Sequence, residues 1–270
     1  MTASRIDPRT PVLVGGRRTP IGTAGHGLAK LDVIDLAAPV LAAVADQVAS
    51  LELPIDDVIV GNCLGPGGNI ARVAGLAAGL GEPVPGVTVD RQCGSGLDAV
   101  LQAAARVRAG DADLVLAGGA ESASTAPWRF WPPNGTAEAV RYTRAPFAPA
   151  GWPDPGMGEA ADALARLLGI SRQRQDEYAE RSHVLSVNAQ QAGRYEPEII
   201  PVQSVSRDER PRAGMTATRL ARLRPSFGKT GTATAGNSCG ISDGAAAVAV
   251  TTEPAATVAA TIRRYGKPAR

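Results

Sequence analysis

The strongest constraint on the fold is an alternation of short apolar runs with amphipathic helical patterns through the first part of the chain. Strands are predicted at 12–14, 58–60, 86–90 and 114–117. Helices are predicted between them, at 33–49 after Asp32, at 70–80 with Asn69 as a candidate cap, and at 95–109. This repeated strand–helix–strand order predicts a mostly parallel sheet covered by helices.

From about Ser122 the alternation stops, and prolines and tryptophans punctuate an irregular stretch. Sheet strands do not tolerate so many prolines. Two helices are nevertheless predicted there, at 159–168 and at 171–193 with Ser171 as a cap, followed by loops and short strands. The small, apolar run 243–250 is then typical of a buried strand that completes the first sheet.

These elements together predict an α/β fold in which one sheet contains five strands. Residues 1–121 and 237–252 would form the sheet and its helices, and residues 122–236 would form an inserted domain that caps them. Residues 253–270 would be a tail that is too short for a second layered domain.

Composition and charge exclude several classes of protein. The chain is 44% hydrophobic and 20% charged, so it can bury a core. Its 28 basic and 26 acidic side chains are interspersed, with no basic stripe that would indicate nucleic acid binding. Residues 1–10 lack the apolar segment of a signal peptide. The longest apolar run, 33–49, contains Asp35 and Asp46, so no membrane span is expected.

The three cysteines bear on the cellular compartment and on the reactivity of the chain. Cys63, Cys93 and Cys239 form no C-x-x-C pair, which favours reduced thiols in the cytoplasm and no metal site. Cys93 lies where a predicted strand ends and a predicted helix begins, among glycines. The positive end of a helix dipole favours the reactive thiolate, so Cys93 is expected to be the most reactive thiol. The alternative is a buried structural cysteine in a glycine-rich turn.

A second stretch, 234–247, is dense in glycine, alanine and serine. Small residues allow a ligand or a helix to approach the backbone closely. Taken alone, this stretch is more typical of a tightly packed turn that leads into a strand.

The two stretches together, in this order, resemble the thiolase family. Further segments are similar to the same family: 17–22, 61–62, 69–72, 118–122, 175–179 and 208–212. The resemblance covers roughly 12–250 and corresponds to the family's N-terminal domain with its loop domain. It implies that the five-stranded sheet is mixed. It also implies acyl transfer on acyl-CoA, as in acetyl-CoA acetyltransferases and 3-ketoacyl-CoA thiolases of fatty acid metabolism.

The resemblance also assigns residues. Cys93 matches the nucleophile that carries the acyl group as a thioester, with its own N–H as an oxyanion donor. Coenzyme A or acyl-CoA would be the substrate, with no permanently bound cofactor. The residues implied to contact coenzyme A are Arg212, Arg222, Phe227, Ala235, Ser238 and Cys239.

The chain departs from the family pattern in what the second thiolase domain supplies. Neither the Gly-His-Pro histidine, nor the Cys-x-Gly cysteine, nor the Asn-Glu-Ala asparagine lies in a matching place. His26 and His183 are both expected to be exposed, and Cys63 in Cys63-Leu64-Gly65 is interpreted as a coincidence. The tail 259–266 resembles the first strand of that second domain.

Two substitutions concern the substrate. Gly156 stands where the family often has histidine, and Cys239 stands where it usually has serine. A thiol is a weaker hydrogen-bonding group than a hydroxyl, so both changes weaken the expected contacts with coenzyme A.

Two hypotheses therefore remain open for the chain alone. It is an acyltransferase that is incomplete without further residues, or an inactive thiolase-like half that binds coenzyme A or a partner without turnover. An apolar face left without its partner domain would favour a homo-oligomer or a second chain that supplies the missing half.

Overall fold

The computed structural model describes residues 7–135 and 138–257. Within them the polypeptide forms two compact units. Unit 1 contains residues 7–126, 196–209 and 242–257, and unit 2 contains the described residues of 127–195 and 210–241. The predicted insertion 122–236 differs from unit 2 at its borders and in residues 196–209, which belong to unit 1. The tail segment 259–266 lies outside the described residues.

Unit 1 contains a sheet and three helices. Its strands are β1 (Pro11–Arg18), β2 (Gly22–Thr23), β3 (Asp57–Gly61), β4 (Gly86–Val89), β5 (Leu114–Ser122) and β8 (Ser242–Thr252). Its helices are α1 (Val33–Val48), α2 (Ile70–Ala77) and α3 (Ser95–Ala109), with a 3-10 turn at Ala49–Leu51. The predicted cap Asp32 forms a capping box with Asp35, and Asn69 caps α2.

Helix α2 ends three residues before the predicted end at Leu80. The backbone N–H of Leu80 turns back to donate to the carbonyl of Gly75, and Gly79 has a φ of 77°. This is a Schellman closure, in which a glycine in the left-handed region ends the helix. The apolar pattern continues through the closure, which is why it suggested a longer helix.

The sheet has the order β1-β8-β5-β3-β4, and the short strand β2 also pairs with β8. Strands β3, β4 and β5 are parallel, whereas β8 is antiparallel to both of its long neighbours. The predicted five-stranded mixed sheet is therefore confirmed, with β2 as a short sixth strand. The run 243–250 does complete the sheet, between β1 and β5.

The two faces of the sheet are covered unequally. Helices α1 and α2 pack on one face, against residues such as Val58, Val60 and Leu116. Helix α3 alone packs on the other, against Ile59 and Val115. Neighbouring residues of a strand face opposite sides of the sheet, which is why Val58 and Ile59 belong to different clusters. The face that carries α3 is covered by fewer helices than the other face.

Large apolar side chains remain exposed on the α3 side. Leu97 and Leu101, four residues apart on α3, are 66% and 58% exposed, and Leu13 of β1 is 60% exposed. Val14 packs with the α1 core, so its neighbour Leu13 points to the α3 side. An apolar patch of this kind is typical of a surface that is covered in an assembly.

The segment Val33–Leu51 is long and apolar enough to cross a membrane by length and composition, with a mean hydropathy of 1.5. The interpretation that Asp35 and Asp46 make this run too polar was therefore wrong, because two aspartates do not lower its mean hydropathy enough. One such helix is weak evidence for a membrane span. Here Leu36, Val40, Leu41 and Val44 are buried against the sheet, which is what a core helix requires.

Unit 2 contains a short hairpin and three helices. They are β6 (Arg129–Trp131), β7 (Val140–Tyr142), α4 (Met157–Leu167), α5 (Arg172–Gln191) and α6 (Ala217–Leu220). Ser171 caps α5 as predicted, since its side chain accepts from the Arg174 N–H. Helix α6 was not predicted, because four residues are too few for an apolar period to show.

Candidate active site

A cavity of about 510 Å³ lies in unit 1 where the parallel strands end. Its walls include residues that follow β3 and β4, residues near the end of β5, and the first residues of α3 and β8. Ligands of open α/β sheets bind at the carboxyl ends of the strands, because the loops that leave them converge there. The thiol, hydroxyl and carboxyl side chains of this wall include those of Cys63, Cys93, Ser95, Glu121 and Asp243.

Cys93 stands in the turn between β4 and α3, and it is exposed. The predicted strand-to-helix turn is confirmed, and the alternative of a buried structural cysteine is wrong. Helix α3 begins at Ser95 with Gly94 as its cap, so Cys93 lies just ahead of the helix N-terminus. The aligned peptide dipoles of the helix present partial positive charge to the turn.

The buried side chain of Ser95 holds the Cys93 turn in place. Its Oγ accepts a hydrogen bond from the Arg91 N–H at 2.8 Å and donates one to the Gln92 carbonyl at 2.6 Å. Gln92 has a φ of 51°, in the left-handed region that non-glycine residues rarely adopt. Such strain is often stored at functional sites, where surrounding contacts enforce it.

Gly61 explains how α3 approaches the end of β3. A Cβ at Gly61 would overlap the backbone of Ser95 and Gly96. The absence of a side chain therefore fixes the start of α3 directly over the strand end, and with it the position of Cys93. Gly96 also lines the cavity, as expected for a glycine that lets a substrate approach the backbone, whereas Gly94 is not in the cavity wall.

Cys63 is a site residue that the sequence did not identify. Its thiol donates to the carbonyl of Gln92 at 3.2 Å, immediately before Cys93, and lies 3.5 Å from Ser95 Oγ. Burial, with further contributions from Asp90 and Glu121, raises the pKa of the Cys63 thiol. The sequence did contain a signal that could have identified Cys63 as a cavity residue, because Cys63 follows a parallel strand just as Cys93 does.

The carboxylates of the cavity wall already have partners. Glu121 accepts from the Asn62 side chain at 2.9 Å, the Cys63 N–H at 2.9 Å and the Leu64 N–H at 3.2 Å. Asp243 accepts from the N–H and hydroxyl of Ser124. No histidine is among the residues of this wall. These groups therefore shape the strand ends and are not free bases.

Unit 2 has a separate pocket of about 320 Å³. One wall is a single face of α5, formed by Tyr178, Ala179, Ser182 and His183, at helical spacing. The other walls come from two loops, which contribute Arg210, Arg212, Met215 and 235–240. The wall carries two arginines and no carboxylate, which favours an anionic ligand.

Two buried carboxylates hold one of those loops against the helices. Asp176 of α5 accepts from the Asn237 side chain at 2.9 Å and pairs with Arg172 at 2.8 Å. Asp162 of α4 accepts from the N–H groups of Thr232 and Ala233. These two backbone N–H groups lower the pKa of Asp162, because they stabilise its charged form.

His183 is half-buried in this pocket, so the expectation that it is exposed was wrong, whereas His26 is exposed as expected. The Arg212 N–H donates to His183 Nδ1 at 3.2 Å. Burial, and then the charge of Arg212, lowers the pKa of His183. His183 is accordingly neutral near neutral pH and acts as an acceptor.

The structure brings together four of the six residues implied to contact coenzyme A. Arg212, Ala235, Ser238 and Cys239 line the pocket of unit 2. Arg222 and Phe227 are not in its wall; Arg222 is exposed just after α6. Phe227 lies against Gly158, where any Cβ would overlap its ring. No cluster of three or more His, Cys, Asp or Glu within residues 7–135 and 138–257 could hold a metal ion.

Comparison with known proteins identifies the family of the chain. Residues 11–254 match the family described as the thiolase N-terminal domain. The chain belongs to the thiolase family. This thiolase chain is 40% identical over 252 residues to VraB, a proposed acetyl-CoA C-acetyltransferase of Staphylococcus epidermidis, and 40% identical over 241 residues to VraB of Staphylococcus aureus. The alignments cover 91% and 87% of the chain.

The crystal structure of the acetyl-CoA acetyltransferase of Bacillus anthracis matches with a TM-score of 0.83 at 34% identity. The match covers 93% of the chain and 67% of that structure. The chain spans 65% and 63% of the lengths of the two VraB proteins. The predicted fold is therefore confirmed, and the match corresponds to the N-terminal thiolase domain.

Proposed function

We propose that this chain carries the nucleophile of a thiolase-type acyl-CoA acyltransferase and that Cys93 forms the acyl-thioester. The observation that carries the proposal is the exposed thiol of Cys93, held in a strained strand-to-helix turn at a cavity where parallel strands end. Membership in the thiolase family and the acetyl-CoA acetyltransferase relatives support the choice of a thioester substrate.

The first half-reaction requires little from the protein. The Cys93 thiolate attacks the carbonyl of the acyl-CoA thioester, and a tetrahedral oxyanion forms. The bond to the coenzyme A sulfur then breaks, and coenzyme A leaves as a thiolate that takes up a proton. The backbone N–H of Cys93, just ahead of α3, would be one donor to the oxyanion.

Complete turnover requires more than this cavity offers. A base of near-neutral pKa must deprotonate Cys93 in each cycle, and a second group must move the proton of the incoming substrate. Glu121 and Asp243 are occupied, and no histidine lines the cavity. The chain alone is therefore expected to acylate slowly and to turn over very little. An inactive half that only binds coenzyme A is the second candidate, and the same lack of a base favours it.

We also propose that coenzyme A uses the pocket of unit 2. The guanidinium groups of Arg210 and Arg212 would attract its phosphates, and the small residues 235–240 would allow a close approach of its chain. Ser238 and Cys239 can donate hydrogen bonds there. Arg222 and Phe227 remain weaker candidates because they are not in the wall of this pocket.

The exposed apolar side chains of unit 1 support a partner. Leu13, Leu97 and Leu101 would be covered by a second copy of the chain or by a chain that supplies further thiolase residues. A stable monomer in light scattering at micromolar concentration would contradict this. The three cysteines, which form no disulfide in the described part of the chain, are compatible with the cytoplasm as the location.

The decisive experiment is intact mass spectrometry of the purified chain after incubation with acetyl-CoA. We expect one acetyl adduct, on the peptide that contains Cys93, and loss of the adduct in Cys93→Ala. The matched control is Cys239→Ser, which removes an exposed thiol from unit 2 and should keep the adduct.

Steady-state cleavage of acetoacetyl-CoA then separates the two candidates. Acylation with turnover far below about 1 s⁻¹, the low end of ordinary enzyme rates, is the expected result. Binding of coenzyme A with no adduct at Cys93 would favour the inactive half. Rapid turnover that is abolished in Cys93→Ala would mean that a base acts from a place outside the cavity wall.

A further inference from the structure

Two thiols share the cavity of unit 1. Cys93 is exposed and Cys63 is half-buried, and both belong to the cavity wall. The Cys63 thiol already reaches the backbone next to Cys93, through its 3.2 Å hydrogen bond to the Gln92 carbonyl. The third cysteine, Cys239, belongs to the wall of the other pocket.

We infer that Cys63 is the resolving thiol of an oxidative modification site, in which a hydroperoxide oxidises Cys93 and Cys63 then captures it as a disulfide. The two thiols differ in exposure, as a peroxide-reactive thiol and its resolving partner should. Accessible thiols near a helix N-terminus react first with peroxides. The partner must remain reduced until then, and it must lie within reach of the oxidised sulfur.

The surroundings of Cys63 match the role of the second thiol. Burial raises its pKa, and the nearby carboxylates of Asp90 and Glu121 act in the same direction, so it stays protonated. A protonated thiol is a poor nucleophile toward peroxide. Cys63 is therefore protected from direct oxidation while remaining adjacent to the Cys93 turn.

The chemistry balances in two steps. The Cys93 thiolate attacks one oxygen of the hydroperoxide, the O–O bond breaks, hydroxide or alkoxide leaves, and the sulfur becomes a sulfenic acid. Cys63 then gives up its proton, and its sulfur attacks the Cys93 sulfur. The S–S bond forms, the S–O bond breaks, and water leaves. The peroxide is reduced and the thiol pair is oxidised.

The left-handed turn makes the necessary movement local. A disulfide requires the two Cα atoms to come within about 7 Å of each other, with directed Cβ atoms. Gln92, with its φ of 51°, directly precedes Cys93, and Ser95 and Cys63 share its carbonyl as an acceptor. Formation of the disulfide would require Cys63 to leave this carbonyl and the backbone at Gln92 to rotate. The disulfide would block the proposed acylation reversibly. It would also protect Cys93 from further oxidation to a sulfinic acid.

The test is peroxide treatment of the reduced chain, followed by alkylation, trypsin digestion and mass spectrometry. Cys63 lies in the tryptic peptide 31–72 and Cys93 in 92–106, so their disulfide joins two distinct peptides. We expect this linked species, a chain lighter by two hydrogen atoms, and full reversal by dithiothreitol. The wild-type measurement needs no acyl-CoA, so it is independent of the proposed acyl transfer.

Cys63→Ser is the matched variant, and Cys239→Ser is its control. In Cys63→Ser, Cys93 should proceed to sulfinic acid, which dithiothreitol does not reverse, while Cys239→Ser should form the linked peptides as the wild type does. A wild-type chain whose Cys93 reaches sulfinic acid as fast as in Cys63→Ser, without linked peptides, would overturn the inference. Linkage of Cys93 to Cys239 in its place would also overturn it.

Discussion

The cavity of unit 1 and the pocket of unit 2 are built in different ways. The first is framed by strand ends and by glycines that let α3 sit directly on β3, and its carboxylates serve to hold the backbone. The second is a helix face closed by loops, which carries two arginines and no carboxylate. Main-chain packing shapes the reactive cavity, whereas side-chain hydrogen bonds shape the pocket that suits an anion.

This difference predicts how each site responds to mutation. A site made by main-chain packing should fail when any atom is added at its closest contacts, because a backbone cannot move aside locally. A site made by side-chain hydrogen bonds should instead fail when one acceptor is removed, and it should depend on pH. The four experiments below test these expectations in order of decreasing effect.

The largest effect is expected for Gly61→Ala. The new Cβ would overlap the Ser95 backbone, so α3 must shift away from β3. Overpacking of this kind should lower the free energy of unfolding by about 3 kcal/mol, measured by urea titration with circular dichroism. The control is Gly228→Ala, where nothing lies within 4 Å of the new Cβ. Equal stability of the two variants would refute the packing account.

Asp162→Ala should have the next largest effect. It leaves the N–H groups of Thr232 and Ala233 without their acceptor, at a cost of about 2 kcal/mol. All three tryptophans, Trp128, Trp131 and Trp152, belong to unit 2, so tryptophan fluorescence during urea unfolding reports on this unit.

The same carboxylate should make unit 2 sensitive to acid. The pKa of Asp162 is lowered in the folded chain, so its stabilisation is complete above the unfolded value of about 3.9 and is lost as the pH falls through the folded pKa. The loss of stability on acidification should be smaller in Asp162→Ala than in the wild type. If the stability of both proteins falls equally steeply with pH, other titratable groups determine the acid sensitivity of unit 2.

A smaller effect is expected for Arg212→Ala in the binding of coenzyme A. Arg212 is exposed, so its loss should weaken binding only about threefold to fivefold, measured by isothermal titration calorimetry. Arg222→Ala is the matched control, because Arg222 is also exposed but lies outside the pocket wall. A larger loss for Arg222 than for Arg212 would move the binding site elsewhere.

The smallest effect concerns His183. Its pKa is lowered in the folded chain, so the unfolded chain binds the proton more readily. The stability linked to His183 is therefore present above the unfolded pKa of about 6.5 and is lost as the pH falls toward the folded value. Melting temperatures of wild type and His183→Gln should diverge slightly across this window. Parallel curves for the two proteins would contradict the assignment of this effect to His183.

The sequence predicted the elements of unit 1 well because their signals are local and periodic. The caps Asp32 and Asn69 and the bounds of α3 follow from a few neighbouring residues. The end of α2 was misplaced, because the apolar pattern runs on past the Gly79 closure. The position of Cys93 could be predicted because a strand end, a turn and a helix start are adjacent in the sequence.

The contacts between distant segments at each site could not be predicted. Cys63 meets the Gln92 carbonyl across 29 positions of sequence, and the Asn237 loop is held by Asp176 across 61. Hydrophobic periodicity along the sequence does not predict contacts between such distant residues. Family resemblance supplied Arg212, Ala235, Ser238 and Cys239, but it also suggested Arg222 and Phe227, which lie outside the pocket wall.

The place of β8 in the sheet has a consequence for synthesis on the ribosome. Strand β1 pairs with β8 alone among the long strands, and the Thr19 hydroxyl accepts from the Ala245 N–H across 226 positions. The emerging chain therefore presents β1 and β5 with unpaired edges until unit 2 has been translated. Contacts of such long range fold slowly, and open strand edges favour aggregation. We expect nascent chains that stop before Ser242 to depend on chaperones.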